Sequence, residues 1–341
     1  MAVMKRARQI VVTLLLTSAL AGPSAGAPPA AADLHLDTLT QLYTRDIGLD
    51  AATGLEAGVP QLQEGGTNVA VFALWPPRAS DGPARVSALF DRFEAEDRRI
   101  DAIALARSPD EARQIIAQGR IAAVISMEGA HGLAEDWRAN LSALRRRGLS
   151  MLGLTWSFSN RFAGSSSDDG GGLTDEGRQL VAEAQRLGVL VDVSHASRAT
   201  TLDVCRGSAA PVVASHSSAA ALAMRGRNLS DEEIRCIAAT GGVIGVNLHR
   251  TFLGRTGDVA AAADHMDHLR RVGGDGVVAL GSDFDGYIKT PAGLSDAGDL
   301  PALWAELSRR GWSEASVNGA RGENFLRAWQ GAINAAARAA N

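Results

Sequence analysis

Short apolar runs rich in β-branched residues alternate along the chain with stretches of helical periodicity. Each run is nearly continuous in hydrophobic character, which is typical of parallel strands that are buried on both faces. Eight runs can be counted, at positions 34–36, 68–74, 121–127, 151–155, 189–193, 212–215, 243–248 and 277–281.

Helix signals separate the runs. Thr174, followed by two acidic residues, predicts the start of a helix that runs to Leu187. Ser230, followed by three acidic residues, predicts a capped helix that ends before Gly241. A strand and a helix repeated eight times predict a (β/α)8 TIM-like barrel, with a doubly wound open sheet as the alternative.

The bulk composition fits one catalytic domain at 33–341. The chain has 341 residues, of which 46% are hydrophobic and 21% are charged, which is enough for a large core. Its formal net charge is -4 with the two signs intermixed, so no basic surface for nucleic acid is expected. We therefore expect a small substrate and no nucleic-acid partner.

Residues 1–32 indicate an export signal, because Lys5, Arg6 and Arg8 precede an apolar stretch at 10–20 and small residues follow. The small-x-small pattern predicts cleavage near residue 27 or residue 32, although Pro28 makes the first site less attractive. We expect a periplasmic or secreted protein without a stable membrane anchor. An uncleaved anchor is the alternative, but the apolar stretch is shorter than the ~20 residues that a spanning helix needs.

Cys205 and Cys236 are the only cysteines. In an exported protein they can form one disulfide, and two free buried thiols are an equally good interpretation. Their spacing matches no redox or structural zinc motif, so we assign them no catalytic role.

Acids and histidines cluster at the ends of the apolar runs, where parallel barrels place their chemistry. They are His35, Asp37, Glu128, His195, His216 and Asp283. His35 and Asp37 are two apart on a strand and so face the same way, although an H-x-D pair alone is equally compatible with capping. Glu128 would be costly to bury unless a metal or a donor pairs with it. The set as a whole predicts a metal-dependent hydrolase.

The remaining strand ends support this interpretation. His195 and His216 follow consecutive runs, each beside hydroxyl residues that can orient an imidazole. Asp283 ends the eighth run and suits a general base that deprotonates a water held by metal ions. Asp285, two residues on, is expected to shape the turn rather than to act in catalysis.

A glycine- and serine-rich segment at 161–172 follows the fourth run and so lies on the predicted catalytic face. This composition indicates flexibility but does not indicate a function. The segment is therefore either a lid over the substrate or a plain solvated loop.

On these residues and motifs, the chain resembles the membrane dipeptidase (renal dipeptidase) family of dinuclear zinc peptidases, as a bacterial exported member. The matching segments are DLHLDT, ISMEGAHGL, GLTDEGRQLVAEAQRLGVLVDVSHAS, PVVASHSSAAAL, RGRNLSDEEIRCIAATGGVIGVN, GSDFDG and GENFLRAW. They occur in family order from Asp33 to Trp329 and cover nearly the whole mature chain.

The resemblance implies two zinc ions per chain. The implied ligands are His35 and Asp37 for one ion, His195 and His216 for the other, and Glu128 as the bridge. Asp283 and Glu128 are then the catalytic residues, with Asp283 as the base. Arg227 matches the arginine that binds the substrate carboxylate through two parallel hydrogen bonds, with Asn228 beside it in the same set. A surface arginine at a helix start is the alternative for Arg227.

One position departs from the family pattern. The well-studied dipeptidases have Leu-Thr-His after the fourth strand, whereas this chain has Leu154, Thr155 and Trp156. An indole donates one hydrogen bond but cannot become cationic, so help to the substrate and its oxyanion at Trp156 is expected to be weaker or supplied elsewhere. His249, after the seventh run, is a candidate for the missing donor.

The other histidines are poorer candidates for the site. His131 is expected to support Glu128 or to pack in its loop. His265 and His268, three apart on one helix, are expected to be structural or exposed.

The preferred function is hydrolysis of dipeptides with a free C-terminal carboxylate, and the family often tolerates a D residue at that end. One alternative is an amidohydrolase acting on a cyclic amide, a lactam or an N-acyl amino acid. Glu128 in place of a carboxylated lysine favours the dipeptidase over that class. The other alternative is a non-catalytic metal- or ligand-binding protein. Family members are often dimers, so a homodimer is compatible with the sequence.

Overall fold

The computed structural model describes residues 28–77, 82–168 and 170–340. Most of the predicted export signal, residues 1–27, lies outside the described residues. Within the described ranges, no helix has both the length and the apolar character needed to cross a membrane.

In these described ranges, nine parallel strands form one sheet that curls into a nearly closed barrel. They are β1 (Ala32–Leu36), β2 (Val69–Leu74), β3 (Ile103–Leu105), β4 (Ile121–Met127), β5 (Leu149–Gly153), β6 (Leu190–Asp192), β7 (Val212–Ala214), β8 (Val243–Val246) and β9 (Val278–Leu280). The barrel order is β1-β2-β4-β5-β6-β7-β8-β9. The first and last strands meet where Asp283 N donates to the carbonyl of His35 at 3.1 Å and Asp37 N to that of Phe284 at 3.0 Å. The predicted (β/α)8 barrel is confirmed, and the open sheet is excluded.

The eight barrel strands coincide with the eight apolar runs, but the ninth strand is not predicted by the sequence pattern. This strand, β3, pairs with β4 beside the barrel order. It has three residues, two of them only half-buried, so it lacks the continuous apolar run that marks the others.

Helices follow the strands around the outside of the barrel. In the described chain they are α1 (Thr38–Arg45), α2 (Val59–Glu64), α3 (Gly82–Arg99), α4 (Pro109–Ala117), α5 (Trp137–Arg147), α6 (Asp175–Arg186), α7 (Arg198–Gly207), α8 (Asp231–Ala239), α9 (Val259–Gly273), α10 (Leu300–Arg309), α11 (Glu314–Asn318) and α12 (Asn324–Ala339). The side chain of Thr174 caps α6, and Ser230 with Glu233 forms a reciprocal capping box at α8. Both helix starts are where the sequence predicts them.

Helix α12 closes the amino end of the barrel. Arg327 donates to the carbonyls of Gly241 and Gly276, both at 2.7 Å, and these glycines precede β8 and β9. Phe325 and Trp329 are fully buried and join the apolar side chains inside the barrel. The opposite, carboxyl end of the strands remains open to solvent and carries the polar residues.

Candidate active site

Three ligand candidates meet at the carboxyl ends of β1 and β4. Nε2 of His35 lies 3.8 Å from Oδ2 of Asp37 and 3.7 Å from Oε1 of Glu128. All three side chains are buried. One ligand atom from each lies within 4.8 Å of the others, close enough to share a metal ion.

His195 and His216 form a second group around the same glutamate. Oε1 of Glu128 lies 2.8 Å from Nε2 of His195 and 3.6 Å from Nε2 of His216. The two imidazole nitrogens are 3.0 Å apart. Glu128 therefore belongs to both groups, and the five residues form one continuous cluster.

The donor atoms of this cluster suit a divalent cation. Atoms without a hydrogen-bond partner among the described residues include both ring nitrogens of His35, Oδ1 of Asp37 and Nδ1 of His195. Such buried atoms are uncommon in folded proteins because each costs free energy. Burial lowers the pKa of His35 to about 3, which keeps its imidazole neutral and its lone pair available. Imidazole and carboxylate ligands together are a donor set that zinc accepts.

The anionic members of the cluster need compensation for their burial. Burial raises the pKa of Asp37 and of Glu128 well above the usual range, and repulsion between the neighbouring carboxylates adds to the effect. A cation between these groups would favour their ionised forms. The electrostatics of the site therefore also fit bound metal.

A buried carboxylate orients His216. Asp192 accepts a hydrogen bond from the hydroxyl of Ser215 at 2.5 Å, and one from each backbone N–H of Ser194 and Ser215 at 2.9 Å. Because that hydroxyl donates to Asp192, its oxygen is free to accept from Nδ1 of His216, 2.8 Å away. A proton on Nδ1 leaves the lone pair of Nε2 facing Glu128, as metal binding requires.

Asp283 lies beside the cluster, half-buried in the loop after β9. Nδ2 of Asn247 donates to its Oδ2 at 3.0 Å. Asp283 also forms a compact group with His35 and His216. Burial raises the pKa of Asp283 to about 7, a value at which a carboxylate can both take and return a proton near neutral pH.

The cluster opens into a cavity of about 460 Å³. Three members of the cluster, Asp37, Glu128 and His195, line it together with Asp283. The lining also includes Trp75, Trp156, Ser167, Arg227, His249, Phe252 and Tyr287. The predicted substrate residues Arg227, Trp156 and His249 are thus at the cavity. Asn228 does not line it, because its amide donates instead to the carbonyls of Ala223 at 2.8 Å and Phe252 at 2.9 Å and so holds the loop.

Arg227 is half-buried and fixed at the cavity wall. Its guanidinium donates to the carbonyl of His216 at 3.2 Å and lies 6.0 Å from the ring centroid of Phe252. His249 packs on the same ring with centroids 4.6 Å apart, and its Nδ1 lies 2.9 Å from the hydroxyl of Thr251. This placement disfavours the alternative of a plain surface arginine.

The glycine- and serine-rich segment at 161–172 is tied to the site at several points. The hydroxyl of Ser165 donates to the carbonyl of Trp156 at 2.7 Å, and the backbone N–H of Ser166 donates to that of His195 at 2.8 Å. Ser167 lines the cavity. The segment therefore borders the site, and whether it moves over substrate stays a prediction.

The remaining candidates of the sequence analysis have structural environments. Asp285 accepts from the hydroxyl of Thr38 at 2.7 Å and from the backbone of Glu56 at 2.8 Å, as expected of a turn-shaping residue. His131 packs in its loop, with Nε2 2.7 Å from the carbonyl of Pro76.

Two further histidines and the cysteines lie away from the cavity. His265 and His268 of α9 are both buried rather than exposed. Cys205 and Cys236 are free thiols, and burial together with a hydrogen bond between them raises the pKa of Cys205.

Sequence reasoning does not find Trp75, Asp192 or Asn247. Trp75 directly follows β2. Its position after an apolar run, together with its N–H donor, could have marked it as a candidate. Asp192 is hidden inside the run LVDV, where it resembles a strand interruption. Asn247 is an amide within a similar run, and only its distance to Asp283 reveals its role.

Comparisons with known proteins identify the family of the chain. Residues 29–341 match the family model described as membrane dipeptidase (peptidase family M19). The chain is 34% identical to dipeptidase verJ of Clonostachys rogersoniana over 81% of this chain and 75% of that protein. It is 28% identical to dipeptidase 3 of Rattus norvegicus over 87% of this chain, but the match spans only 62% of the rat enzyme.

A solved structure is similar over nearly its full length. A metallopeptidase from Rhodobacter sphaeroides, liganded with a phosphinate mimic of the dipeptide L-Ala-D-Ala, superposes with a TM-score of 0.83 at 29% identity. The similarity covers 89% of this chain and 99% of that one. These findings set aside a non-catalytic binding protein. The chain belongs to the membrane dipeptidase family and is a metallo-dipeptidase.

Proposed function

We propose that this protein hydrolyses dipeptides with a free C-terminal carboxylate and uses two zinc ions. The observation that supports the proposal most is the single cavity that combines the ligand cluster with Arg227. The proposed ligands are His35 and Asp37 for one ion, His195 and His216 for the other, and Glu128 for both.

The two zinc ions would stabilise negative charge on the scissile carbonyl oxygen and lower the pKa of the attacking water. The side chains of the protein supply the remaining steps. Asp283, with one oxygen held by Asn247, takes a proton from that water and returns it to the amine nitrogen as the C–N bond breaks. Arg227 fixes the substrate carboxylate through paired hydrogen bonds.

A D residue at the C-terminus is part of the proposal. Its support is the ligand of the Rhodobacter sphaeroides relative, which mimics L-Ala-D-Ala. We also propose export to the periplasm or the medium, on the basis of the charged and apolar N-terminal sequence. A homodimer stays a prediction from the family resemblance.

The first experiment measures release of free amino acids from L,L and L,D dipeptides by the zinc-loaded enzyme and by the same enzyme after chelation. We expect turnover that is lost on chelation and restored by zinc. Turnover of N-acyl amino acids or cyclic amides, without turnover of any dipeptide, would replace the proposal by the amidohydrolase alternative.

The role of Arg227 has a matched control on the same loop. Arg227→Gln should lower kcat/KM for dipeptides about 100-fold or more, because it removes one partner of a charge-assisted pair. It should also abolish the preference for a dipeptide over its C-terminal amide. Arg225→Gln should change neither, since Arg225 is exposed and its guanidinium makes, among the described residues, only one hydrogen bond, to the carbonyl of Thr251 at 3.3 Å. Equal effects of the two substitutions would refute the assignment.

A further inference from the structure

We propose that an aromatic wall, formed by Trp75 and Trp156, binds a large apolar side chain on the first residue of the dipeptide. The inference rests on the proposed function and names its preferred substrates. They are dipeptides whose N-terminal residue is aromatic or branched aliphatic.

The wall is held in place before any substrate binds. The rings of Trp75 and Trp156 meet edge to face, with centroids 5.0 Å apart at 62°. Phe158 packs behind Trp156 at 5.9 Å and touches the ring of His131 at 4.7 Å. Nε2 of His131 lies 2.7 Å from the carbonyl of Pro76, the residue after Trp75, which completes a closed set of contacts. Such preorganisation lowers the ordering cost of binding.

The barrel order places the Trp75 end of this wall opposite Arg227, and Trp156 nearer to it. Trp75 follows β2 and Trp156 follows β5, on either side of the strand that ends at Glu128. Arg227 belongs to the loop after β7, which is four strands from β2 and two from β5 in the ring of eight. The ring of Trp156 is 6.4 Å from that of His195.

The path of the substrate follows from these positions. With its carboxylate on Arg227 and its scissile carbonyl over Glu128, a dipeptide extends its first residue towards the aromatic wall. Both indoles line the cavity and are half-buried, so part of each ring is available for contact.

The chemistry of the wall selects for apolar groups. An indole has no titratable proton near neutral pH and offers a large flat surface with one N–H donor. Trp156 stands where the resemblance leads us to expect a histidine, so this chain has more apolar area and no ionisable group at that point. An apolar side chain gains by leaving water for this surface, whereas a carboxylate gains nothing there.

The test measures kcat/KM of the zinc-loaded wild-type enzyme on X-Ala dipeptides in which X is Gly, Ala, Leu, Phe, Glu or Lys. We expect Leu-Ala and Phe-Ala to exceed Ala-Ala and Glu-Ala by about 10-fold or more, within the range that a hydrophobic pocket supplies. Rates that do not depend on X, or a maximum at Lys-Ala, would overturn the inference.

Variants then show which residues produce the preference for an apolar first residue. Trp156→Ala should reduce the ratio of Phe-Ala to Ala-Ala about 10-fold, and Trp156→Phe should keep most of it. Phe252→Ala, on the side of Arg227, should alter preference at the second residue and leave that ratio unchanged. Turnover with a flat preference contradicts this inference alone, whereas absence of turnover on all dipeptides contradicts the proposed function as well.

Discussion

His195 and Asp283 have backbone conformations that side chains rarely adopt, with φ of 66° and 69°. For residues other than glycine, the left-handed region costs about 1–2 kcal/mol, and such strain concentrates at functional sites. Each is the third residue after a strand, β6 for His195 and β9 for Asp283. The sharp change of direction there brings the side chain of His195 into the cluster and that of Asp283 beside it. A histidine at this position does not by itself predict a positive φ, so the sequence pattern does not reveal the conformation of His195.

Single residues of the site were predictable to different degrees. The ligand candidates stand at the ends of apolar runs, where parallel barrels collect polar groups, so their convergence follows from topology. Asp192 acts through Ser215 on His216, and that relation depends on side-chain directions and distances that the sequence does not encode visibly. The same holds for Asn247 and Asp283.

The orientation of His216 yields a prediction about metal affinity. Ser215→Ala removes the hydroxyl that accepts from Nδ1 of His216 and donates to Asp192. Because the imidazole loses its fixed tautomer and direction, zinc affinity should fall by about 10- to 100-fold. Competition with a chelator of known affinity measures the change.

The control for this prediction is Ser217→Ala. Ser217 is also buried, but its hydroxyl lies 3.4 Å from that of Ser194 and makes no hydrogen bond to a histidine in the described part of the chain. It should retain wild-type zinc affinity. Equal affinities of the two variants would show that the Ser215 hydroxyl does not orient the ligand.

Among the elements, the helices with capping signals were the most predictable, because a cap is a local interaction between neighbours in sequence. Thr174 and Ser230 both cap as predicted. The strand β3 was not predictable, because three residues beside a barrel carry too short a pattern. The path of the loop between β7 and α8 was not predictable either, because contacts with residues far away in the sequence hold it.

That loop, which carries Arg227, is anchored by α9. Nδ1 of His265 accepts from the backbone N–H of Ala219 at 2.9 Å, and the side chain of His265 is fully buried. Burial lowers the pKa of His265 to about 4, below the ~6.5 of an unfolded histidine. The neutral imidazole is therefore the form that the folded loop requires.

The stability of the protein should depend on pH through this residue. Above pH ~6.5 the imidazole is neutral in both states and contributes no pH dependence. Between ~6.5 and about 4 the unfolded chain takes up a proton that the folded protein does not, so stability falls as pH falls, by about 3 kcal/mol in all. Urea unfolding at a series of pH values measures this loss.

His265→Asn isolates the contribution. An asparagine oxygen can accept from Ala219 but cannot be protonated in this range, so the variant should lose less stability than wild type between pH 7 and 4. Effects of the other histidines are common to both proteins and cancel in the comparison. Identical pH dependence would contradict the prediction.

At the scale of the whole molecule, the open end of the barrel was predictable and its closed end was not. The polar strand ends identify the catalytic face from sequence alone. The seal at the other end depends on Phe325 and Trp329 of α12 meeting residues from all around the barrel. No local pattern connects them, since they are brought together only by the closed fold.

Residues 30–32, between the two predicted cleavage sites, belong to this same closed end. Ala30, Ala31 and Ala32 are buried. The N–H of Ala30 donates to Glu323 at 3.1 Å and that of Ala31 to the side chain of Asn68 at 2.7 Å. The carbonyl of Ala31 accepts from the backbone N–H groups of Asn68 and Val69, both at 2.9 Å. Cleavage near residue 32 would remove these four hydrogen bonds and a fifth, which Nδ2 of Asn68 donates to the carbonyl of Pro29 at 3.0 Å.

We therefore propose that cleavage of the predicted export signal leaves Ala30 in place, although Pro28 makes the sequence around residue 27 an unattractive cleavage site. A chain that begins at Asp33 should be less stable than one that begins at Pro28 by about 5 kcal/mol, at roughly 1 kcal/mol for each hydrogen bond lost. Urea unfolding of the two zinc-loaded proteins gives the difference, and mass spectrometry of the exported protein gives its first residue. Because the lost contacts lie at the amino end and the ligand cluster at the carboxyl end, the shorter chain should keep its zinc affinity while it remains folded. Equal stabilities, or an exported protein that begins at Asp33, would show that the three alanines are dispensable to the barrel.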